Sequence, residues 1–184
     1  MKKSTNFIGV AIMTSALFVS CNQQNKAVEK KDTTSKDSVV STTTTVVPVL
    51  KDQHSSEVYT HYIHLKDALV ASDATEAQKA SKDLADELKD IKGCEVTSVV
   101  ADKIANSTDL KVQRAEFTPL SSDIIALMKT TDIESGKMYV NFCPMANDGK
   151  GGYWLSSNNE IKNPYYGKNM LKCGEVKEVF EKKL

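Results

Sequence analysis

The chain is 184 residues long, with 24 lysines and arginines set against 24 aspartates and glutamates. That length suits one domain with extensions, and the balanced charge leaves no electrostatic footprint for nucleic acid. With three histidines and no C-x-x-C-H, covalent haem attachment is excluded and general bases are scarce.

The N-terminus has the shape of a secretory signal. Lys2 and Lys3 form a positive n-region, Phe7 to Val19 is apolar apart from small residues and Thr14, and the run ends Phe18-Val19-Ser20-Cys21. It is too short for a membrane-spanning helix. A small residue directly before cysteine resembles a bacterial lipobox, although Phe18 stands where leucine is usual. Residues 1–20 are therefore expected to be a lipoprotein signal peptide. Cys21 would be the lipidated first residue of the mature chain, held to a membrane by its acyl chains and facing the periplasm or the exterior. An ordinary signal peptide with a cysteine near its end is the alternative.

Residues 21–55 read as a tether. They are mostly Lys, Asp, Ser, Thr, Gln and Val, including "STTTTVVPV", with no aromatic residue before the domain. Such a stretch cannot bury enough apolar surface to offset its ordering entropy, and a flexible spacer is the simplest reading. A short strand within Val46 to Leu50 stays open, without a supporting pattern.

Residues 56–184 are then a single domain. Val58, Tyr62, Leu65 and Leu69 make one helix face. Ser72-Asp73 offers an N-cap with Glu76 as in a capping box, ahead of the stripe Ala77, Ala80, Leu84, Leu88 and Ile91. Gly93 is a natural C-terminal stop. A weaker stripe runs Ala101, Ile104, Ala105, Thr108, Val112 and Ala115. Thr118-Pro119 suggests a fresh helix start or a kink, before a face of Phe117, Leu120, Ile124, Leu127 and Met128. Beyond Thr131 the period changes to two: Met138, Val140 and Phe142 alternate with Tyr139 and Asn141, run into Cys143-Pro144-Met145, and return through "NDGKGG" to Tyr153-Trp154-Leu155. "NPYYG" reads as a turn and "EVKEVFEKK" as a short closing helix. The expected fold is mainly α with a small β element (α+β): an antiparallel three- or four-helix bundle, then a β-hairpin and a short C-terminal helix.

Four sulfurs draw attention. Cys143 and Met145 are two apart, on the same side of an extended chain. Met170 and Cys173 are three apart, on one side of a tight turn. If the pairs converge, two thiolates and two thioethers form a soft site suited to Cu(I), with Zn(II) also accommodated by thiolates. The competing reading is a Cys143–Cys173 disulfide, common in exported chains, with Met145 and Met170 as core filler. Cys94, following Gly93, reads as a buried bystander. His61 and His64 are one turn apart but lie at the margin of the helix stripe and on its polar side. They are reserve ligands, and surface residues by default. A nucleophilic cysteine would need a histidine base and an orienting partner, for which no companion motif exists, so no enzyme is expected.

The segments "YTHYIHLKDALVASDATEAQKASKDLADEL", "QRAEFTPLSSDIIALMK" and "YVNFCPMANDGKGGYWLSSNNEIKNPYYGKNMLKCGEV" resemble an uncharacterised bacterial exported domain family. Its members occur alone or appended to adaptor proteins of CusB-like heavy-metal efflux pumps. The C-terminal elements (CPM, WLS, NPYYG, MLxCG) are the specific portion of the resemblance. Small heavy-metal-binding modules with a Cys-Pro-Met element are similar, but a histidine follows their methionine where Ala146 stands here. The resemblance implies metal handling. The combined expectation is a lipid-anchored extracytoplasmic domain binding a soft ion, Cu(I) above all, at Cys143, Met145, Met170 and Cys173, for buffering or transfer to an efflux adaptor. The alternative is a structural or interaction domain stapled by a Cys143–Cys173 disulfide.

Overall fold

The computed structural model describes residues 47–183. The signal-peptide and lipidation readings, Cys21 included, lie outside those residues. Among the described residues, no helix is long and apolar enough to cross a membrane.

Four helices open the domain: α1 (Gln53–Ala71), α2 (Ala74–Lys89), α3 (Glu95–Ala105) and α4 (Leu110–Thr130). Short polar residues set their starts. Asp52 accepts from the Ser55 amide at 2.7 Å, Asp73 from Glu76 at 2.9 Å and Asp109 from Lys111 at 2.7 Å, each satisfying an amide that the helix itself leaves orphaned. Gly93 adopts φ +93° between α2 and α3, as a helix stop requires.

Side-chain pairs show that successive helices run antiparallel. His54 meets Glu87 and His64 meets Glu76 between α1 and α2. Ser81 Oγ donates to the Ala101 carbonyl and Ser98 Oγ to the Ala85 carbonyl between α2 and α3. Thr97–Asp123 and Lys103–Glu116 tie α3 to α4. Serine hydroxyls reach facing backbone only where helices approach closely, and buried Ala77, Ala80, Ala85 and Ala101 permit that approach.

Two expectations about this layer are corrected. The stripe from Ala101 to Ala115 is not one helix: the chain leaves α3 at Asn106, and Asp109 caps a new start. Thr118-Pro119 is not a restart either, since α4 runs unbroken through Pro119. Burial of Phe117, Leu120, Ile124 and Met128 on one continuous face outweighs the single backbone bond that proline forfeits.

The β layer is a three-stranded antiparallel sheet in the order β4-β3-β5, from β3 (Lys137–Cys143), β4 (Gly152–Ser156) and β5 (Glu175–Glu181). The hairpin is as expected, but "EVKEVFEKK" is an edge strand rather than a helix, paired along β3 from Lys137↔Glu181 to Phe142↔Glu175. The segment fits a helix locally. Pairing with the free edge of β3 satisfies its backbone instead, and almost all its side chains stay in solvent. A small second sheet joins β1 (Val49–Leu50) to β2 (Ile133–Ser135). The expected tether boundary at residue 55 is therefore too late, because Leu50 is buried and α1 starts at Gln53.

The two layers meet through aromatic residues. Tyr62 stacks on Phe117 with centroids 5.5 Å apart, Phe117 contacts Tyr165 at 5.7 Å, and Tyr165 meets the edge of Trp154 at 6.2 Å. The Tyr62 hydroxyl shares a hydrogen bond with Ser121 Oγ at 2.7 Å and accepts the Leu155 amide at 3.1 Å. Tyr62→Phe strands both partners in the core and is expected to cost about 1–3 kcal/mol, read as a lowered midpoint in urea with an unchanged slope.

Candidate functional site

Cys143 ends β3, fully buried, opposite Gly152 of β4. Its neighbour across the strands is a glycine for a steric reason. A Cβ at Gly152 would sit 2.6 Å from the Tyr165 ring, and Tyr165 fills that space while its hydroxyl donates to the Tyr153 carbonyl at 2.7 Å.

Cys173 arrives from the long connection after β4. Buried Asn163 organises that connection: its amide donates to the Leu171 carbonyl at 2.9 Å and its side-chain oxygen accepts from Tyr165 at 2.8 Å. Its side-chain nitrogen donates to the Cys173 carbonyl at 2.8 Å. A 3-10 turn over Gly167–Met170 follows, closed by the Cys173 amide donating to the Met170 carbonyl at 3.0 Å. Arg114 of α4 fastens the outer end, donating to the Pro164 carbonyl at 2.8 Å and to Leu69 O and Ser72 Oγ at the end of α1.

Cysteines thirty residues apart are thereby brought together, with Sγ atoms 2.7 Å apart and both thiols free. The contact with Cys143 pushes the Cys173 pKa up, as does desolvation, while the Met145 backbone amide acts in the opposite sense. Met145 thus joins the pair through its backbone, its carbonyl accepting from the Tyr166 hydroxyl, and its side chain is 54% exposed. Met170 is half-buried in the same turn as Cys173.

The loop from Cys143 back to β4 is held in an uncommon shape. Asn147 and Asp148 both adopt left-handed backbone, at φ 55° and 56°, which asparagine and aspartate tolerate better than most side chains. Asn147 anchors it at both ends of its amide, donating to the Gly151 carbonyl at 2.9 Å and accepting from Thr118 Oγ1 of α4 at 3.1 Å. Trp154 and Tyr165 are core, while Tyr166 is half-buried beside the loop. Strand alternation includes Asn141 but does not reveal that it lies across from Trp154. Asn141 Oδ1 and Trp154 Nε1 are both buried with no hydrogen-bond partner.

The reserve histidines lie elsewhere. His64 pairs with Glu76 at 2.7 Å, and His61 sits half-buried on α1. Among the described residues, neither groups with the two cysteines, and the one His/Cys/Asp/Glu cluster of ligand geometry is His54, Glu57 and Glu87. Cys94 is partly buried at the start of α3, its thiol pushed up by that burial.

One comparison with protein families finds a match, and it falls on the helical layer. Residues 58–136 match the family described as Protein of unknown function (DUF3347). The DUF3347 segment starts within α1 and ends between β2 and β3, so it takes in α2, α3, α4 and β2. It stops before Cys143, so the C-terminal elements are not the matched portion. No curated protein and no solved structure matches the chain.

Proposed function

We propose that this is an extracytoplasmic, lipid-anchored domain that binds one soft metal ion, Cu(I) above all, through Cys143 and Cys173. Met145 and Met170 would supply thioether ligands. The observation that carries the reading is the convergence of two cysteines from separate elements, with Met145 and Met170 two and three residues from them in sequence. Thioethers bind Cu(I) without losing a proton and release it readily, which suits buffering or hand-over to an efflux adaptor. Two thiolates on a tetrahedral ion at bonds of about 2.3 Å stand roughly 3.8 Å apart. Loading therefore requires the sulfurs to separate by about 1 Å. Cys173, half-buried on a turn, can supply that movement more readily than Cys143, fixed in β3.

One observation favours a second reading. At 2.7 Å the sulfurs are closer than metal ligands stand, and a small approach closes a disulfide, whose sulfurs are about 2.05 Å apart. In that case the pair is a staple and the domain is a structural or interaction module.

Native mass spectrometry of the full chain, taken from an oxidising compartment and examined before and after reduction, separates the two. One Cu(I) per chain after reduction is the expected result. A mass two protons light before reduction and no Cu(I) uptake after it would leave the staple alone.

A further inference from the structure

A second cluster lies on the opposite chemistry of the domain, where α1 begins and α2 ends. The N-cap at Asp52 fixes the start of α1, so His54, Glu57 and His61 fall at spacings of three and four, along one face. Antiparallel α2 brings Glu87 against them. His54 Nδ1 stands 2.7 Å from Glu87 Oε1, and ligand atoms of His54, Glu57 and Glu87 all lie within 4.8 Å of one another.

Of the α2 carboxylates, Asp86 and Glu76 are each met by a lysine, whereas Glu87 is met by a histidine. Asp86 is neutralised by Lys82 and Lys89, and Glu76 by Lys79 and His64. Among the described residues, the one ionic partner of Glu87 is His54, and Glu57 is held by the neutral Gln53 side chain at 2.9 Å. Glu87 is also the more enclosed member, 15% exposed against 57% for His54. Two carboxylates at this separation repel unless positive charge stands between them. In the metal-free protein the His54 imidazole stands against Glu87, with Glu57 alongside. His61 lies one turn beyond Glu57 on α1.

We propose that His54, Glu57 and Glu87 form a binding site for a borderline divalent cation, with zinc as the type ion and His61 or water at the fourth position. Imidazole nitrogen and carboxylate oxygen are both zinc ligands. Ligand atoms on a tetrahedral zinc at about 2.1 Å stand roughly 3.4 Å apart, so atoms now within 4.8 Å of one another draw in to close on the ion. Its hard oxygen ligands separate it from the thiol pair, which prefers soft ions. The site does not rest on the soft-metal reading and stands if that reading fails.

The test is nitrogen-15 NMR of the imidazole rings in the full chain, titrated with zinc alone. The expected result is that His54 ring signals move saturably while His64, paired with Glu76, does not. Glu87→Gln and Glu57→Gln should each weaken the response about tenfold or more, and Cys173→Ser should leave it unchanged. His54 signals that stay fixed in millimolar zinc would overturn the site. So would a response undiminished in both glutamine variants, or one abolished by Cys173→Ser.

Discussion

Cys143→Ser is expected to lower Cu(I) affinity by more than about 100-fold, since even outer-shell changes at metal sites cost 10–100-fold. Cys173→Ser should do the same. Met170→Leu and Met145→Leu remove thioethers of near-equal volume and should weaken the ion by about tenfold each, leaving the thiol pair as the minimal site. Stability measurements on the same variants read the competing chemistry. If oxidised protein carries a staple, either single serine variant loses the whole loop constraint, about 3–4 kcal/mol for a loop of this length. The double variant then loses little more. If the thiols are free, Cys173→Ser costs little, and Cys143→Ser costs about 1–3 kcal/mol for a buried hydroxyl short of partners. Side chains in contact still couple, by about 0.5–3 kcal/mol, but that coupling does not change on reduction. A strong coupling in oxidised protein that disappears on reduction would identify the disulfide, and Cu(I) affinity untouched by either serine would remove the pair from metal binding.

Most of the helical layer was legible because its signals are local. The Ala77–Ala80–Leu84–Leu88 face and the Asp73–Glu76 cap need only neighbouring residues to be read, and both stand in the structure. Errors arose where a local pattern was ambiguous and a distant partner decided. "EVKEVFEKK" became a strand because β3 offered it an edge thirty-odd residues upstream. Val49–Leu50 became ordered because β2 pairs with it. The thiol pair was suggested by residue types, but the distance between its members follows from Asn163, Gly152 and Arg114, whose roles are set by contacts no spacing reveals. His54 was assigned to the tether for the same reason: Glu87, which gives it meaning, lies on the next helix. The DUF3347 match and the thiol pair also fall in different parts of the chain. The matched segment supplies the packed helices, and the sulfur chemistry is carried by the sheet and the connection laid over it.

Gly174→Ala is expected to test how that connection serves the site. Gly174 follows Cys173 and adopts φ +143°, backbone that an L side chain rarely enters, and a Cβ there would lie 2.7 Å from the Trp154 ring and 3.1 Å from the Phe142 carbonyl. Neither obstacle yields easily. The carbonyl belongs to β3, whose Phe142 pairs with both β4 and β5, and Trp154 is fully buried against Tyr165. Backbone strain of about 1–3 kcal/mol and overpacking of similar size together predict a loss of about 2–4 kcal/mol. The strain can be relieved by lifting the 173–174 backbone off Trp154, which carries the Cys173 sulfur away from Cys143. The variant should therefore form the Cys143–Cys173 disulfide more slowly than the parent chain and bind Cu(I) more weakly, although every sulfur ligand is present. A Gly174→Ala chain that loses stability but keeps parental thiol reactivity and Cu(I) affinity would show that the close approach over Trp154 serves packing alone. Both losses together would show that the glycine positions Cys173.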